Sequence, residues 1–295
     1  MRVLLTGASG WIGSVIAREL MEAGHSVTGL VRSAEKGAAL ALAGGTPLVG
    51  SLGDLDVLRQ GAAEADGIIH TAFGLDISRI GELAAEDSVA ISTFGEVFAG
   101  SARPIVVTDG FLHLTGETAL ETDRPGIPPA FPRASQQTAF ALAARGIHAN
   151  VVRNPRSVHG KGETHGFVPM LAGVARSKGV SAFIGDGMNL WPAVHRLDAA
   201  RVYRLALERG ACGEVYHAVA EEGVPYREIA EAIGRQLGLP TRSLTQAEAE
   251  AHFGPLATWV ANNGPASNEW TKKTLGWTPG QLGIVADIER SDYSR

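Results

Sequence analysis

The chain has few of the features that mark several large classes of protein. Among its 295 residues there is one cysteine, Cys212, so no internal disulfide can form and nothing indicates an oxidising compartment. No uncharged apolar stretch reaches the roughly 18 residues of a membrane-spanning helix. The apolar run at residues 2–6 is too short for a signal peptide. We therefore expect a cytoplasmic protein without a membrane partner.

Charge of one sign is not in excess either. Lys and Arg total 26 against 31 Asp and Glu, which gives a net charge of -5, and no run of like charge occurs. A nucleic-acid partner is therefore not expected. The hydrophobic share of 45% and the charged share of 19% are ordinary for a globular chain that buries a sizeable core. Lysine is scarce among the basic residues, and its only positions are Lys36, Lys161, Lys178, Lys272 and Lys273.

Short apolar runs alternate with segments of helical period through the first half of the chain. The runs of strand length are residues 2–6, 26–31, 47–49, 67–71, 104–108 and 148–153. The helical segments between them are residues 12–23, 34–43, 55–61, 79–101 and 133–145. Because parallel strands need crossover connections, this order predicts a doubly wound α/β fold of the Rossmann type, with helices on both faces of a parallel sheet.

The second half is less regular. Its helical segments are residues 166–178, 198–208, 225–237, 245–253 and 267–275, separated by loops that contain Gly and Pro. We expect residues 1–155, with a returning segment near 195–220, to form the Rossmann core. Residues 156–295 are then mainly a small, mostly helical lobe, and the whole chain is one compact unit without a low-complexity linker.

A glycine-rich turn follows the first predicted strand and opens the first predicted helix. Residues 6–13 read T-G-x-x-G-x-x-G, with glycines at Gly7, Gly10 and Gly13. In this context the first glycine permits a tight turn, the second lets backbone N–H groups approach a pyrophosphate, and the third lets helix and strand pack closely. The pattern predicts a dinucleotide site, in which Ser9, Trp11 and Ile12 also contact the cofactor.

The end of the second predicted strand distinguishes the two common dinucleotides. An acidic residue there holds the ribose 2′-OH of NAD, whereas an arginine accommodates the 2′-phosphate of NADP. This chain has Arg32 followed by Ser33, and Ser9 lies alongside in the turn, so NADP(H) is favoured. After the third strand, Asp54 and Leu55 are placed near the adenine. An isolated Asp at this position is more often the cap of the following helix, here 55–61, and Asp54 can have both roles.

Six motifs in order give the chain a resemblance to the extended and atypical short-chain dehydrogenase/reductase superfamily. They are the glycine turn at 6–13, Gly-Asp-Leu at 53–55, Ile-His-Thr-Ala at 69–72, the segment 153–160, the pair of segments 185–187 and 194–200, and Leu-Gly-Trp-Thr-Pro at 275–279. The resemblance covers essentially the whole chain. It implies that His70, Thr71 and Ala72 border the cofactor and that Pro155, Arg156 and Val158 pack beside the nicotinamide.

The acid–base pair that the resemblance implies is missing. Ordinary members use Tyr-x-x-x-Lys plus a Ser, in which the phenol protonates the alkoxide formed when hydride reaches a carbonyl. None of the tyrosines (Tyr203, Tyr216, Tyr226 and Tyr293) has a lysine four residues later. When Ser135 is aligned with the motif, Pro132 takes the Tyr position and Gln136 the Lys position, while Thr108 and Asp109 take the Ser position.

Three functions are compatible with that loss. In the first, a reductase acts on a C=O or C=N group, with Asp109 and Thr108 as the catalytic residues. Asp109 is either a protonated acid or an ionised carboxylate that stabilises a cationic iminium, and a plain turn residue is the alternative. In the second, the chain is a non-catalytic NADP(H) sensor. In the third and least favoured, it is a nucleotide-sugar epimerase or dehydratase, since those members depend on the same Tyr and Lys.

Aromatic and histidine side chains on several predicted cleft segments indicate a pocket for a small, largely apolar substrate. They are Phe73, Phe111, His113, His159 and Trp191. His113 and His159 are also alternative proton donors. The spacing of the histidines matches no metal motif, so no metal is expected. The resemblance implies a homodimer through the helices at 79–101 and 133–145, since relatives form dimers by a four-helix bundle at these positions. The helical period of these segments would equally suit packing on the sheet.

Overall fold

The computed structural model describes residues 1–74, 76–110 and 117–292. Its strands are β1 (Arg2–Thr6), β2 (Ser26–Val31), β3 (Thr46–Val49), β4 (Gly67–His70), β5 (Ile105–Gly110), β6 (Ala149–Asn154), β7 (Ser157–His159), β8 (Ser181–Ile184), β9 (Leu190–His195), β10 (Val215–His217), β11 (Glu221–Pro225) and β12 (Thr241–Leu244).

Helices lie between most of these strands. They are α1 (Gly13–Glu22), α2 (Ala34–Leu42), α3 (Leu55–Glu64), α4 (Ile80–Phe98), α5 (Ser135–Ala144), α6 (Phe167–Lys178), α7 (Arg196–Arg209), α8 (Tyr226–Leu237), α9 (Gln246–Phe253), α10 (Ala257–Ala261), α11 (Glu269–Leu275) and α12 (Ile284–Arg290). Short 3-10 helices occur at Ile77–Arg79 and Gly254–Leu256.

A seven-stranded sheet carries the fold, in the order β10-β6-β5-β4-β1-β2-β3. All its neighbours pair in parallel. The strand order reverses between β1 and β4, and ligands of such sheets bind outside the carboxyl ends of the strands at that point. The predicted doubly wound α/β fold is therefore confirmed, and β10 comes from the predicted returning segment.

Apolar side chains cover both faces of this sheet. On one face, residues of α1 and α7 such as Ile16 and Val202 pack with the β1 residue Leu5. On the other, α4 and α5 contribute Phe94 and Leu142, which pack with the β5 residue Val107. Because both faces are buried, the central strands read as continuous apolar runs. No helix in the described ranges is both long and apolar enough to cross a bilayer.

The second half of the chain contains strands that the helical periodicity did not predict. β11, β9 and β7 form a three-stranded sheet, and β12 pairs with β8. A further apolar core lies under these strands and includes Trp191, Tyr226 and Phe253. The boundary between core and lobe near residue 155 stays a prediction.

Several predicted boundaries move by a few residues. The strand expected at 67–71 ends at His70, and the helix expected at 79–101 is α4, which follows the 3-10 turn and ends at Phe98. Gly100, with a φ of 72°, turns the chain just after that helix. The helix expected at 133–145 begins at Ser135.

Candidate functional site

The glycine turn lies at the carboxyl end of β1, next to the reversal in strand order. Gly7 has a φ of 72°, and a Cβ there would lie 2.7 Å from Oγ1 of Thr71. At Gly13 a Cβ would lie 2.0 Å from the carbonyl oxygen of Gly7, so only glycine fits. Helix α1 starts without a side-chain cap and has no acidic residue in its first turn. The N–H groups of Ser14 and Val15 donate to the carbonyls of Gly10 and Ile12, whereas those of Ile12 and Gly13 have no partner among the described residues. These two groups and the positive end of the dipole are thus available to an anion.

Trp11 joins this turn to the segment after β6. Its indole Nε1–H donates to the carbonyl of Val158 at 2.6 Å, and the Arg196 guanidinium lies 3.9 Å from the centre of the ring. The predicted cofactor residues Trp11 and Val158 are therefore in contact. The neighbouring Pro155 is buried, and Arg156 extends into the lobe, where it lies near Trp191 and Trp259. Burial lowers the pKa of Arg156 to about 10.

The residues predicted for the adenosine half lie at the ends of β2 and β3. Arg32 is exposed directly after β2, while the Ser33 hydroxyl caps α2 by accepting the backbone N–H of Lys36 at 3.2 Å. Asp54 occupies the cap position of α3 but makes no cap bond, so the helix-cap alternative is wrong. Its carboxylate instead accepts the backbone N–H and the hydroxyl of Ser51, both at 2.8 Å, and these bonds lower the pKa of Asp54.

A chain of buried hydrogen bonds runs from β1 to the start of α5. Thr6 Oγ1 lies 2.8 Å from Nδ1 of His70, and it also accepts the backbone N–H groups of Thr71 and Ala72. Nε2 of His70 lies 3.0 Å from one carboxylate oxygen of Asp87, and Ser135 donates to the other oxygen at 2.6 Å. The chain holds the strand-end segment 70–72 against the glycine turn.

Asp87 is an ionised carboxylate in this chain. Burial raises the pKa of Asp87, but the hydrogen bond and charge of His70 outweigh burial, with smaller contributions from Arg133 and Ser135. The pKa therefore lies below its ordinary value. No signal in the sequence singled out Asp87, because its partners His70 and Ser135 come from two other elements, β4 and α5.

Asp109 is buried at the carboxyl end of β5. One carboxylate oxygen accepts the N–H of Gly110 at 2.8 Å, and the other accepts the backbone N–H of Gln136 at 3.1 Å, in the first turn of α5. Across the sheet, Asp109 pairs in register with Arg153. Through these two hydrogen bonds the Asp109 side chain joins the end of β5 to the first turn of α5.

The neighbouring Thr108 receives a hydrogen bond from a tyrosine that lies far away in sequence. The Tyr203 hydroxyl donates to Thr108 Oγ1 at 3.0 Å and accepts the side-chain N–H of Asn154 at 2.7 Å. Tyr203 is fully buried on α7, and burial raises its pKa to about 12. Since Thr108 Oγ1 is the acceptor in this bond, its own proton is directed elsewhere. Sequence spacing gave no signal for Tyr203, which lies outside the segment of the family motif.

Gln136, at the motif's lysine position, is fully buried and binds Arg153. Its Oε1 accepts from Nε and Nη2 of Arg153 at 3.1 and 2.8 Å, while its own Nε2 has no partner among the described residues. Burial lowers the pKa of Arg153 to about 10, against the opposing effect of the Asp109 charge. The site therefore has a neutral amide in place of the family's lysine.

Arg133, a half-buried residue just before α5, was not singled out by the sequence. Its guanidinium donates to the carbonyl of Thr108 at 2.8 Å and to Oγ of Ser135 at 2.7 Å, and it stacks 4.0 Å from the Phe73 ring centre. Phe131 is the ring next to Phe73, at 6.0 Å between centroids. Arg133 directly follows Pro132, which took the tyrosine position in the motif alignment.

The predicted pocket residues do not all share one wall. Phe73 lies at the carboxyl end of the sheet beside Arg133. Trp191 is 0% exposed inside the lobe, where its Nε1–H donates to Ser157 at 2.8 Å. His159 is 1% exposed, and its Nδ1 lies 2.9 Å from Asp287, which leaves Nε2 without a described partner. Phe111 and His113 lie outside the described residues. The pocket role of all five stays a prediction.

Metal ligands are not gathered in the part of the chain that the structure describes. No group of three or more His, Cys, Asp or Glu side chains there is arranged to hold a metal ion. The arrangement at the carboxyl ends of β1, β4 and β5 is instead an anion-accepting turn beside hydroxyl, carboxylate and guanidinium groups. That combination fits a dinucleotide and a polar group of a second ligand.

Comparison with known proteins adds a family likeness. Residues 3–86 match the model of the NAD dependent epimerase/dehydratase family. An uncharacterised protein of Schizosaccharomyces pombe is 47% identical over 99% of this chain and 100% of its own length. A 4-hydroxy-2-methyl-3-oxo-4-farnesyl-3,4-dihydroquinoline-1-oxide ketoreductase of Stigmatella aurantiaca is 27% identical over 86% of this chain and 80% of its own.

A solved structure shares the fold. The dTDP-glucose 4,6-dehydratase DesIV of Streptomyces venezuelae, with NAD bound, superposes with a TM-score of 0.78 at 20% identity. The match covers 98% of this chain and 95% of that chain. Residues 3–86, which include the glycine turn, are therefore similar to the NAD dependent epimerase/dehydratase family, and the likeness to DesIV shows a shared fold over nearly the whole chain.

Proposed function

We propose that the protein is an NADP(H)-dependent reductase that transfers hydride to a C=O or C=N group of a small organic substrate with an apolar body. The observation that carries the proposal is the glycine turn, which leaves the start of α1 uncapped at the point where the strand order reverses. The similarity to a ketoreductase supports carbonyl reduction. When bound, the coenzyme supplies the hydride.

The residues present fit a dinucleotide. A Cβ at Gly7 or Gly13 would collide with backbone atoms, so both positions require glycine. Because these positions carry no side chain, a ligand can approach the backbone of the turn closely. The pyrophosphate is expected at the start of α1. Arg32 is exposed at the end of β2, and its charge suits the 2′-phosphate of NADP; Ser33 lies beside it.

The Thr108 hydroxyl is proposed to donate a hydrogen bond to the reacting group of the substrate. Asn154 donates to Tyr203 and Tyr203 donates to Thr108, so the hydrogen of the Thr108 hydroxyl is left to donate toward the cleft. A donor at that place stabilises the negative charge that develops on a carbonyl oxygen when hydride arrives at its carbon. In the alternative of a cationic iminium, which needs no proton from the protein, the neighbouring Asp109 is proposed to stabilise the cation as a carboxylate.

A non-catalytic NADP(H) sensor is the second candidate, because Gln136 occupies the place of the family lysine and Tyr203 is fully buried. The epimerase and dehydratase activities, which depend on the Tyr–Lys pair, are ranked last.

The test combines coenzyme binding with turnover. Calorimetry should show that NADPH binds more tightly than NADH, and Arg32→Ala should weaken NADPH binding by about 10-fold or more while leaving NADH nearly unchanged. Equal effects on both would refute the 2′-phosphate contact. Ketones and cyclic imines, followed by NADPH absorbance, should include substrates. NADPH binding without any turnover would favour the sensor, and no binding of either coenzyme would end the proposal.

A second variant tests the proton donor. Thr108→Val keeps the size of the side chain and removes the hydroxyl, so we expect kcat for ketones to fall by about 100-fold. Cyclic imines, which carry their own proton, should lose much less. An equal loss on both substrates, or no loss, would contradict the role of Thr108.

A further inference from the structure

Arg133 is a charged group in the cleft for which the proposed hydride transfer gives no role. It precedes α5 by two residues and lies at the carboxyl end of β5. One edge of its guanidinium is used by the protein: Nε donates to Ser135 and Nη2 to the Thr108 carbonyl. A guanidinium has five N–H donors in a fixed planar fork.

The edge of the guanidinium formed by Nη1 and Nη2 is not used by the described residues. Neither Nη1 nor the second N–H of Nη2 has a hydrogen-bond partner among residues 1–74, 76–110 and 117–292, and Arg133 forms no ion pair there. Two parallel N–H groups on one edge of a guanidinium match the two oxygens of a carboxylate. A lysine ammonium at this position would offer no such geometry.

Neighbouring side chains hold the Arg133 guanidinium in place. Ser135, which accepts from Arg133, donates in turn to Asp87, and Asp87 is paired with His70 in the buried chain. On its face the guanidinium lies 4.0 Å from the centre of Phe73. The side chain is therefore held by hydrogen bonds on one edge and by an aromatic ring on one face, so little conformational entropy is lost when a ligand binds.

The two nearby carboxyl groups already accept hydrogen bonds from other residues. Asp87 accepts from His70 and Ser135, and Asp109 accepts from Gly110 and Gln136 and faces Arg153 across the sheet. The start of α5 adds the positive end of a helix dipole beside Arg133, and α5 has 10 residues. The Nη1–Nη2 edge of Arg133 is therefore not used by either of these carboxyl groups, and it lies near the apolar rings of Phe73 and Phe131.

We propose that the free edge of Arg133 binds a carboxylate of the substrate, so that the substrate class is an apolar oxo acid or the corresponding imino acid. This inference rests on the proposed reductase function for the reaction, although not for the binding. Phe73 and Phe131 contact the apolar body, and the carboxylate anchored on Arg133 orients the C=O or C=N group toward Thr108.

The binding test uses matched acids and amides. Calorimetry on the full-length protein with saturating NADPH measures Kd for 3-phenylpropanoate and for 3-phenylpropanamide. The acid should bind at least about 10-fold more tightly than the amide. Arg133→Gln should weaken acid binding by about 10- to 100-fold and leave amide binding unchanged. Arg133→Lys keeps the charge but not the fork, and we expect an intermediate loss.

Arg103 offers a matched control, because it also stacks on a phenylalanine ring and donates to backbone carbonyls. It stacks 3.9 Å from the Phe98 ring centre and donates to the carbonyls of Ala62, Ala65 and Val97, at the amino end of β5. Arg103→Gln should keep the acid preference. A wild-type protein that binds the acid no better than the amide, or an Arg133→Gln variant that keeps the preference, overturns the proposal. If Arg133→Gln does not fold, as judged by NADPH binding, the Arg133→Lys variant decides. Weaker acid binding in that variant supports the proposal, and an unchanged acid preference overturns it.

A turnover arm separates this inference from the function on which it rests. The substrates are 2-oxo-4-phenylbutanoate and its ethyl ester. Acid binding through Arg133 without reduction of either compound would support the carboxylate site and favour the sensor over the reductase. Equal kcat/KM for the acid and the ester would refute the carboxylate site and support the reductase. Preferred reduction of the acid, lost in Arg133→Gln, supports both.

Discussion

Glu163 is a buried carboxyl group in the loop that follows β7. Its Oε2 has no partner among the described residues. Burial raises the pKa of Glu163 to about 8, the Asp287 charge adds to that effect, and Arg196 opposes it. The folded protein therefore holds a proton on Glu163 at neutral pH.

This proton gives the stability of the protein a pH dependence. In the unfolded chain Glu163 loses its proton near its ordinary pKa of 4.5, whereas in the folded protein it keeps the proton until about 8. The free energy of unfolding therefore falls as pH rises through that window, by up to roughly 1.4 kcal/mol per pH unit. We expect Glu163→Gln to remove this fall, so that urea unfolding finds it more stable than the wild type near pH 9.

Glu248 offers a contrast for the same measurement. In the capping box of α9, the backbone N–H and hydroxyl of Thr245 lower the pKa of Glu248. Glu248→Gln should therefore not stabilise the protein at high pH. If the unfolding of the wild type and Glu163→Gln depends on pH in the same way, the buried protonated Glu163 is refuted.

Two helices differ in how tightly their glycines are packed. Close packing between β1 and α1 requires glycine at one position, whereas a glycine in α6 has room for a larger side chain. A Cβ at Gly13 would lie 2.0 Å from the Gly7 carbonyl oxygen, whereas one at Gly173, inside α6, would meet nothing within 4 Å. We expect Gly13→Ala to abolish coenzyme binding and lower the melting temperature. Gly173→Ala should raise stability by about 0.5–1 kcal/mol, because alanine favours helix.

Thermal unfolding and NADPH calorimetry on the two alanine variants check this pair. Normal NADPH affinity in Gly13→Ala would contradict the proposed place of the pyrophosphate. A destabilised Gly173→Ala would show instead that α6 is more tightly covered than the structure indicates.

Helix α5 shows why an element's start is hard to predict. Apolar spacing predicted a beginning at residue 133, but the helix begins at Ser135 and has no side-chain cap from the residue before it. The acceptor for its first turn is Asp109, which is 27 residues earlier in the chain. A cap that comes from another strand leaves no local sequence pattern.

At the scale of the whole molecule, the lobe contacts the proposed coenzyme site directly. The bond from Trp11 to the Val158 carbonyl and the stacking of Arg196 on Trp11 connect the glycine turn to β7 and α7. Since β7 pairs with β9 and β9 with β11, these contacts continue into the three-stranded sheet. A ligand on the turn is therefore expected to change the fluorescence of Trp11.

The homodimer that the resemblance implies is a prediction for the whole molecule. It places α4 and α5 in a four-helix bundle with a second copy. Val89 on α4 is 48% exposed in the single chain, which suits a residue on such a surface. We expect sedimentation to show a dimer at micromolar concentration and Val89→Glu to shift it toward monomer. A wild-type monomer would contradict the arrangement.

The sequence by itself determined the alternation of strands and helices in the first half of the chain and the place of the glycine turn, because apolar periodicity and glycine chemistry are local. The alternation of strands and helices predicted the doubly wound sheet, and Gly7, Gly10 and Gly13 predicted the turn at the end of β1. Both depend on residues that are neighbours in the chain, and the family resemblance rests on the same local motifs.

The tertiary structure alone decided which groups meet at the end of β5. Tyr203 reaches Thr108 from 95 residues away, and Ser135 reaches Asp87 from 48 residues away. Arg133 becomes notable only when the Thr108 carbonyl and the Phe73 ring are placed beside it. The lobe sheets were also missed, since strands as short as β7 carry too few residues for a readable period. Long-range contacts of this kind depend on packing, which no single window of sequence records.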